Sequence, residues 1–342
     1  MTKKYKGLLL CLLMALPARY LGTKLPIVGG PVIGLLIGVG AGFFRREKGD
    51  LAEGIAFTSK KILQYAVILL GFGLDLKTVW LVGAGSLPII LTTVATALLT
   101  AYLLSKLLHT PEKLSILIGV GSSICGGSAI AATAPVIQAE ESEIAQSISV
   151  IFLFNLLAAL IFPTLGGYLG FSDSGFALFA GTAINDTSSV TAAASAWDSL
   201  HQTGSAVLEQ ATIVKLTRTL TILPITMILS FHRMKKEQRE DKTFSAGKIF
   251  PTFILFFMLA SLVTTGMRHV LAGGAAELFS SFVGLMKQGS RFFIVMAMTA
   301  IGLNTDFEKL MRGGLSPFLL GGGCWAAIIL MSILMQKVLG SF

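Results

Sequence analysis

Apolar residues gather in long runs separated by short polar connections, as in Leu87–Leu104, Ile144–Phe162 and Phe318–Met335. An α-helix needs about 20 such residues to cross the hydrocarbon core of a bilayer. The pattern therefore predicts an all-α, polytopic helical membrane protein of ten or eleven transmembrane helices. Eleven spans fit, near 7–22, 26–44, 61–82, 86–105, 114–138, 144–168, 175–197, 205–231, 250–270, 284–305 and 314–339. No stretch is left for a soluble domain, so residues 1–342 read as a single membrane transport domain. One polar linker, His232–Lys248, separates spans one to eight from the last three.

Composition agrees, with 54% hydrophobic and 13% charged residues and a mean hydropathy of +0.78. A chain this apolar cannot cover itself with a water-compatible surface, which excludes a soluble enzyme. The net charge of +9 suggests nucleic acid only if the cations share a folded surface. They fall instead in alternate connections: Lys3, Lys4 and Lys6; Arg45, Arg46, Lys48, Lys60 and Lys61; Lys106 and Lys113; Arg233 to Lys248; Lys309 and Arg312. That side holds two-thirds of the 27 Lys and Arg, which puts the N-terminus in the cytoplasm and the C-terminus outside. The basic excess sets topology and meets the lipid bilayer, so no nucleic-acid partner is expected.

The start, Lys3 to Ala18, reads as a signal peptide or as a short first span. The span is preferred, because a multi-span protein inserts without cleavage. Cys11, Cys125 and Cys324 each sit in an apolar segment without paired spacing or a neighbouring His, so no disulfide, metal or cofactor is expected. His109, His201, His232 and His269 fall at connections.

Two self-similarities stand out. Gly73–Pro88 aligns with Gly302–Pro317 without gaps, and both read as helix–loop–helix corners running in opposite directions, with Gly73 and Gly302 as hinges. This is the pattern of inverted-repeat carriers. Gly121–Pro135, "GSSICGGSAIAATAP", aligns with Gly181–Ser195, "GTAINDTSSVTAAAS", at an offset of 60, although an even offset is not what a simple inverted repeat predicts. Both stretches are poor lipid-facing helices, because Gly126-Gly127 and Pro135 interrupt the first and the hydroxyls of both need partners within protein. They read as interrupted helices or re-entrant turns whose free N–H groups hold an ion, or as small-residue packing surfaces.

Charges within spans narrow the choice, since a charge at mid-bilayer survives only when paired, facing a cavity or functional. Asp186 sits in span seven, and Lys215 and Arg218 lie three apart on one face of span eight. Counted from His201, all three reach a similar depth. Two cations against one carboxylate leave one positive charge over, which suits an anionic substrate. The alternative is a structural cluster in which the second cation meets backbone carbonyls at a helix end. Asn185-Asp186 also occurs in proton-coupled cation antiporters, but two neighbouring cations repel a cation.

These residues resemble the YeiH-type family of bacterial sulfate exporters, through "GSSICGGSAIAATAPVI" at 121–137, "GTAINDTSSVTAAA" at 181–194, "VKLTR" at 214–218 and "AIGLNTDF" at 300–307. The resemblance implies a multi-pass secondary carrier of the bacterial inner (plasma) membrane that exports a small inorganic or sulfonated anion such as sulfate. Its design is similar to inverted-repeat symporters and antiporters. In this reading Ser122, Ser123, Gly126, Gly127 and Ser128 donate hydrogen bonds, and Asn185 and Thr187 line the pocket. Lys215 and Arg218 attract the anion, while Asp186 positions them or carries a coupling proton. Cys125 and Ser188 fall in the same lining. Sodium is the other candidate coupling ion, and a homo-oligomer stays open. The rivals are a cation/proton antiporter using Asp186, an anion channel, and an intramembrane enzyme. The last needs a nucleophile with a base or a metal cluster, and neither is visible, so no enzyme is expected.

Overall fold

The structure, a computed structural model, describes residues 3–25, 30–44, 49–222, 224–229, 252–305 and 314–342. The linker His232–Lys248 and the stretch Asp306–Arg312 lie outside the described residues.

All regular structure among the described residues is helical. The chain runs through α1 (Lys3–Lys24) and α2 (Gly30–Phe44). Ala52–Phe57, a π turn at Thr58–Ile62 and Leu63–Gly71 then continue one another with helical dihedrals as α3. There follow α4 (Leu76–Leu108), α5 (Glu112–Ser123), α6 (Gly127–Ile137), α7 (Glu141–Leu169), α8 (Asp173–Ala183), α9 (Thr187–His201), α10 (Ala206–Thr219), α11 (Thr252–Val270), α12 (Gly274–Asn304) and α13 (Leu315–Val338). Six of these are long and apolar enough to cross a membrane: α1, α4, α7, α10 with its extension to Leu229, α11 and α13. The protein is thus a polytopic helical membrane protein.

In water a helix turns its apolar stripe inward; α4 buries Val79, Ile89, Ile90 and Val94 but turns other large apolar residues outward. Trp80, Leu81, Leu87, Leu91, Leu99 and Leu103 point outward, whereas Gly83, Ser86, Thr93, Ala97 and Ala101 face the interior. Large apolar groups gain nothing by leaving lipid, and small ones let helices approach closely. The closest approach joins α2 and α12, where a Cβ on Gly38 would lie 2.2 Å from Thr299 O and one on Gly302 would lie 2.2 Å from Leu35 O. Gly302 is therefore a packing position inside α12 rather than the expected hinge.

The expected corner over 73–88 also moves. The chain turns at Phe72–Asp75, and α4 then runs straight through Gly83, Gly85 and Pro88. Asp75 starts it as a side-chain cap, accepting from Thr78 N (2.8 Å) and Thr78 Oγ1 (2.9 Å). The bonded Thr78 N–H holds the Asp75 carboxyl below the usual carboxylate range. Likewise α12 begins at Gly274, ten residues before the expected span.

The largest difference concerns the stretches 114–138 and 175–197, each expected to cross. Both turn back. In the first, Lys113 Nζ at the start of α5 donates to Gln138 O just past α6 (2.8 Å), and a Cβ on Gly121 would lie 2.9 Å from the Ile130 side chain. In the second, Trp197 Nε1 on α9 donates to Asp173 Oδ1 at the start of α8 (2.8 Å), and the Trp197 ring stacks on Phe176 at 4.0 Å. Such contacts join the open ends of antiparallel legs. Each pair is a re-entrant helical hairpin, with legs of 11 to 15 residues, about 16–22 Å long, or roughly half to two-thirds of a bilayer core.

The 29-residue α7 lies between them and is long and apolar enough to cross fully. The two hairpins therefore enter from opposite faces. This resolves the even offset of 60, because one crossing between two non-crossing units inverts the second relative to the first. Residues 138–140 and 170–172, which change sides as a result, contain no Lys or Arg, so the charge bias is unaffected.

The helices pack as two groups. One comprises α1, α2, α3, α11 and α12, and the other α4 to α10 with α13. Between the groups, α9 meets α2 and α12, and α11 meets α4. Lys287 of α12 pairs with Glu209 of α10 at 2.5 Å. The turn at Phe72–Asp75 joins the groups covalently and is held by α11 through Ser261 Oγ to Leu74 O (3.1 Å) and Thr264 Oγ1 to Phe72 O (3.0 Å).

Candidate functional site at the hairpin tips

A helix ends with carbonyls that have no partner within it, and its C-terminus carries about half a negative charge. Here α5 and α8 both end inside the protein, at Ser123 and Ala183, where water cannot satisfy them. One turn of α10 supplies the donors. Lys215 Nζ donates to Ile124 O (2.7 Å) and Ile184 O (3.0 Å), one carbonyl from each tip. Arg218 Nε donates to Ser123 O (2.8 Å), Nη2 to Ser122 O (2.6 Å), and Nη1 to Thr182 O (2.6 Å) and Ile184 O (3.2 Å). Both cations are fully buried. They staple the two tips together and neutralise two converging helix ends.

The expected cluster of Asp186, Lys215 and Arg218 is therefore brought together, but with a different division of labour. The cations spend most of their donors on backbone carbonyls, as in the structural alternative raised by the sequence. The Asp186 carboxylate does not hold them in place; it caps α9, with Oδ2 accepting from Ser188 N (3.0 Å) and from Ser188 Oγ. It lies two residues after Ile184, whose carbonyl accepts from both cations, and a Cβ on Gly126 would sit 3.5 Å from Asp186 Cβ.

Gly126 makes the first tip possible. Its φ of +69° with ψ of −129° is a conformation that L residues avoid. The expected outcome of Gly126→Ala is a loss of about 1–3 kcal/mol, read as a lower melting temperature. The added methyl meets only ordinary contacts at 3.5 Å, so the cost arises in the backbone.

The other candidates divide by exposure. Ser122, Ser123, Cys125, Gly126 and Asn185 are buried, and Ser123 Oγ donates to Val120 O. The Asn185 amide is fully buried, and neither its oxygen nor its nitrogen has a partner among the described residues. Ser188 is 5% exposed. Gly127, Asp186 and Thr187 are half-buried and Ser128 is exposed. The starts of the outgoing legs α6 and α9 are thus the accessible side of the tips, with the cations sealed behind them.

Asn155 on α7 is a site residue that the sequence reading missed. It is 3% exposed, and its Oδ1 accepts from Asn185 N (3.0 Å) and Asp186 N (3.1 Å). The available signal was a lone Asn in the apolar run Ile144–Phe162. No group of three or more His, Cys, Asp or Glu able to hold a metal occurs among the described residues.

A family profile described as conserved hypothetical protein 698 matches residues 6–321. The chain is 56% identical to a UPF0324 membrane protein of Fusobacterium nucleatum subsp. nucleatum over 347 aligned residues, covering 100% of both. It is 58% identical to one from Streptococcus pyogenes serotype M3 over 340 residues, covering 99% of this chain and 98% of the relative. A UPF0324 membrane protein of Streptococcus mutans serotype c is 55% identical over 342 residues, covering 99% and 98%. These names give a membrane location and no substrate, and none of them names a sulfate exporter.

Proposed function

This chain belongs to the UPF0324 family of membrane proteins, and we propose that it is a secondary carrier that exports a small inorganic or sulfonated anion, such as sulfate, by alternating access. The observation that carries this reading is the charge at the hairpin tips. Helix-end dipoles sum to zero over the four legs, so Lys215, Arg218 and Asp186 leave one positive charge in a place shielded from water. An anion neutralises it.

The anion enters on the accessible side, where α6 starts at Gly127 and Ser128 without a side-chain cap, leaving N–H groups and a positive helix end to receive it. Thr187 and the unpartnered Asn185 amide add donors. Beyond Ser128, exposed Ala131 and Pro135 continue one face of α6, and exposed Gln138 follows just past its end. A stripe this small and polar suits water better than lipid and gives the anion a path. Access alternates as the group carrying the hairpins rocks against α1–α3, α11 and α12 about the turn at Phe72–Asp75. In the cell this takes place in the bacterial inner membrane with the N-terminus in the cytoplasm, and Asp186 carries a coupling proton.

Proteoliposomes test the proposal. Uptake of labelled sulfate and small sulfonates should saturate and exchange with unlabelled anion, and sulfate uptake should respond to a pH gradient. Flux that never saturates means a channel, and cation uptake with no response to any anion means an antiporter. Ser128→Cys should make transport sensitive to water-soluble thiol reagents, and sulfate should slow the modification. The native Cys11, Cys125 and Cys324 are all buried, so the background is low. Equal labelling rates with and without sulfate would place the anion elsewhere.

A further inference from the structure

The hairpin tips hold a fixed charge, and that charge selects what crosses with the anion. With Asp186 ionised, the site carries one positive charge, which a monoanion cancels. A dianion leaves one negative charge in a low-dielectric interior, where an uncompensated charge costs several kcal/mol. One group can remove the excess by taking a proton. We propose that the site carries a monoanion alone and a dianion only together with one proton, which is placed on Asp186. This deepens the carrier reading above and rests on it.

The geometry favours that carboxylate. Ser188 N and Ser188 Oγ both engage Oδ2, leaving Oδ1 for the proton. Asp186 is half-buried at the accessible side of the tips, so the proton arrives and leaves by the route of the anion.

Other groups facing Asp186 are unsuited to the exchange. From α10 come Lys215 and Arg218, bonded to the tip carbonyls. The first hairpin contributes Cys125 at its tip, and α7 contributes the neutral Asn155. Of the two helices packed on α9 from the other group, α2 holds no ionisable residue, and α12 holds none between Phe292 and Asn304. Its charged residues Glu277, Lys287 and Arg291 lie further towards its start, with Arg291 acting on Asp198 at the far end of α9.

In the step itself, a hydronium ion gives its proton to Asp186 Oδ1 as the dianion binds. The same proton returns to water on the opposite face when the dianion leaves, so one proton and one dianion cross together with one net negative charge. Linkage is reciprocal, so acid must tighten dianion binding by up to about tenfold per pH unit while leaving monoanion binding flat.

The test uses sulfate and methanesulfonate, whose charges stay fixed from mildly acidic to neutral pH, in proteoliposomes of the full chain loaded with a pH-sensitive dye. Sulfate uptake should carry one proton per anion and methanesulfonate uptake none. Asp186→Asn keeps a good helix cap and should lower the proton-to-sulfate ratio from one to zero. Equal proton movement with both anions, none with either, or acid-driven sulfate uptake surviving in Asp186→Asn would each overturn the proposal. The wild-type comparison stands without the variant. If neither anion moves, the carrier reading falls as well; if both move without protons, only the coupling falls.

Discussion

Replacing Arg218 with Met should destabilise the protein by about 4 kcal/mol and abolish transport. Three carbonyls, those of Ser122, Ser123 and Thr182, lose their Arg218 donor in a buried place, while Ile184 O keeps Lys215. Each buried group left unsatisfied costs about 1–3 kcal/mol. The lower half of that range applies here, because a Met side chain is flexible enough for the tips to relax. Removing one cation also leaves the converging helix ends less neutralised. Arg218→Lys should recover only part of the loss, since an ammonium keeps the charge but lacks the fork that reaches both tips at once. Thermal unfolding of purified protein in detergent checks the order wild type, Arg218→Lys, Arg218→Met. A Met variant that melts with the wild type would mean the staple holds nothing together.

Asn155→Leu should cost about 2–4 kcal/mol by a different route. Its single oxygen accepts from two backbone N–H groups at the second tip, and leucine offers neither group a partner. Because those N–H groups belong to Asn185 and Asp186, the tip should also lose its shape, so substrate affinity should fall along with stability. Ser147→Ala on the same helix serves as the comparison. Its hydroxyl bonds only to carbonyls of its own helix, and its removal should shift the melting temperature little. Equal shifts for the two variants would contradict the role given to Asn155.

The helical membrane architecture was legible because lipid forces it. Runs such as Ile144–Phe162 have no other stable fate. Lys215 and Arg218 were legible for the same reason, since an interior charge is conspicuous. The turn-back of the hairpins was legible only as one alternative, a re-entrant turn, beside the full crossings assigned to both stretches. Residues 112–137 and 173–201 are each as long as a crossing, and hydropathy carries no direction. What distinguishes them is the backbone at Gly126 and the contacts Lys113–Gln138 and Asp173–Trp197, which appear only once the legs lie side by side. The start of α4 was misplaced because Gly83, Gly85 and Pro88 resemble a corner, while the cap formed by Asp75 and Thr78 is a quieter signal. Asn155 was hidden by its neighbours, one amide within the apolar stretch Val150–Phe162.

The order of the chain gives the staple a temporal meaning. Both hairpins precede α10, so a ribosome has delivered each tip to the membrane before the residues that satisfy it exist. Until Lys215 and Arg218 emerge, the carbonyls ending α5 and α8 have no partner from the protein, and neither hairpin has reason to stay buried. A nascent chain halted between His201 and Lys215 should therefore be cleaved readily by membrane proteases. One released beyond Arg218 should resist, which makes this single turn of helix the checkpoint of assembly.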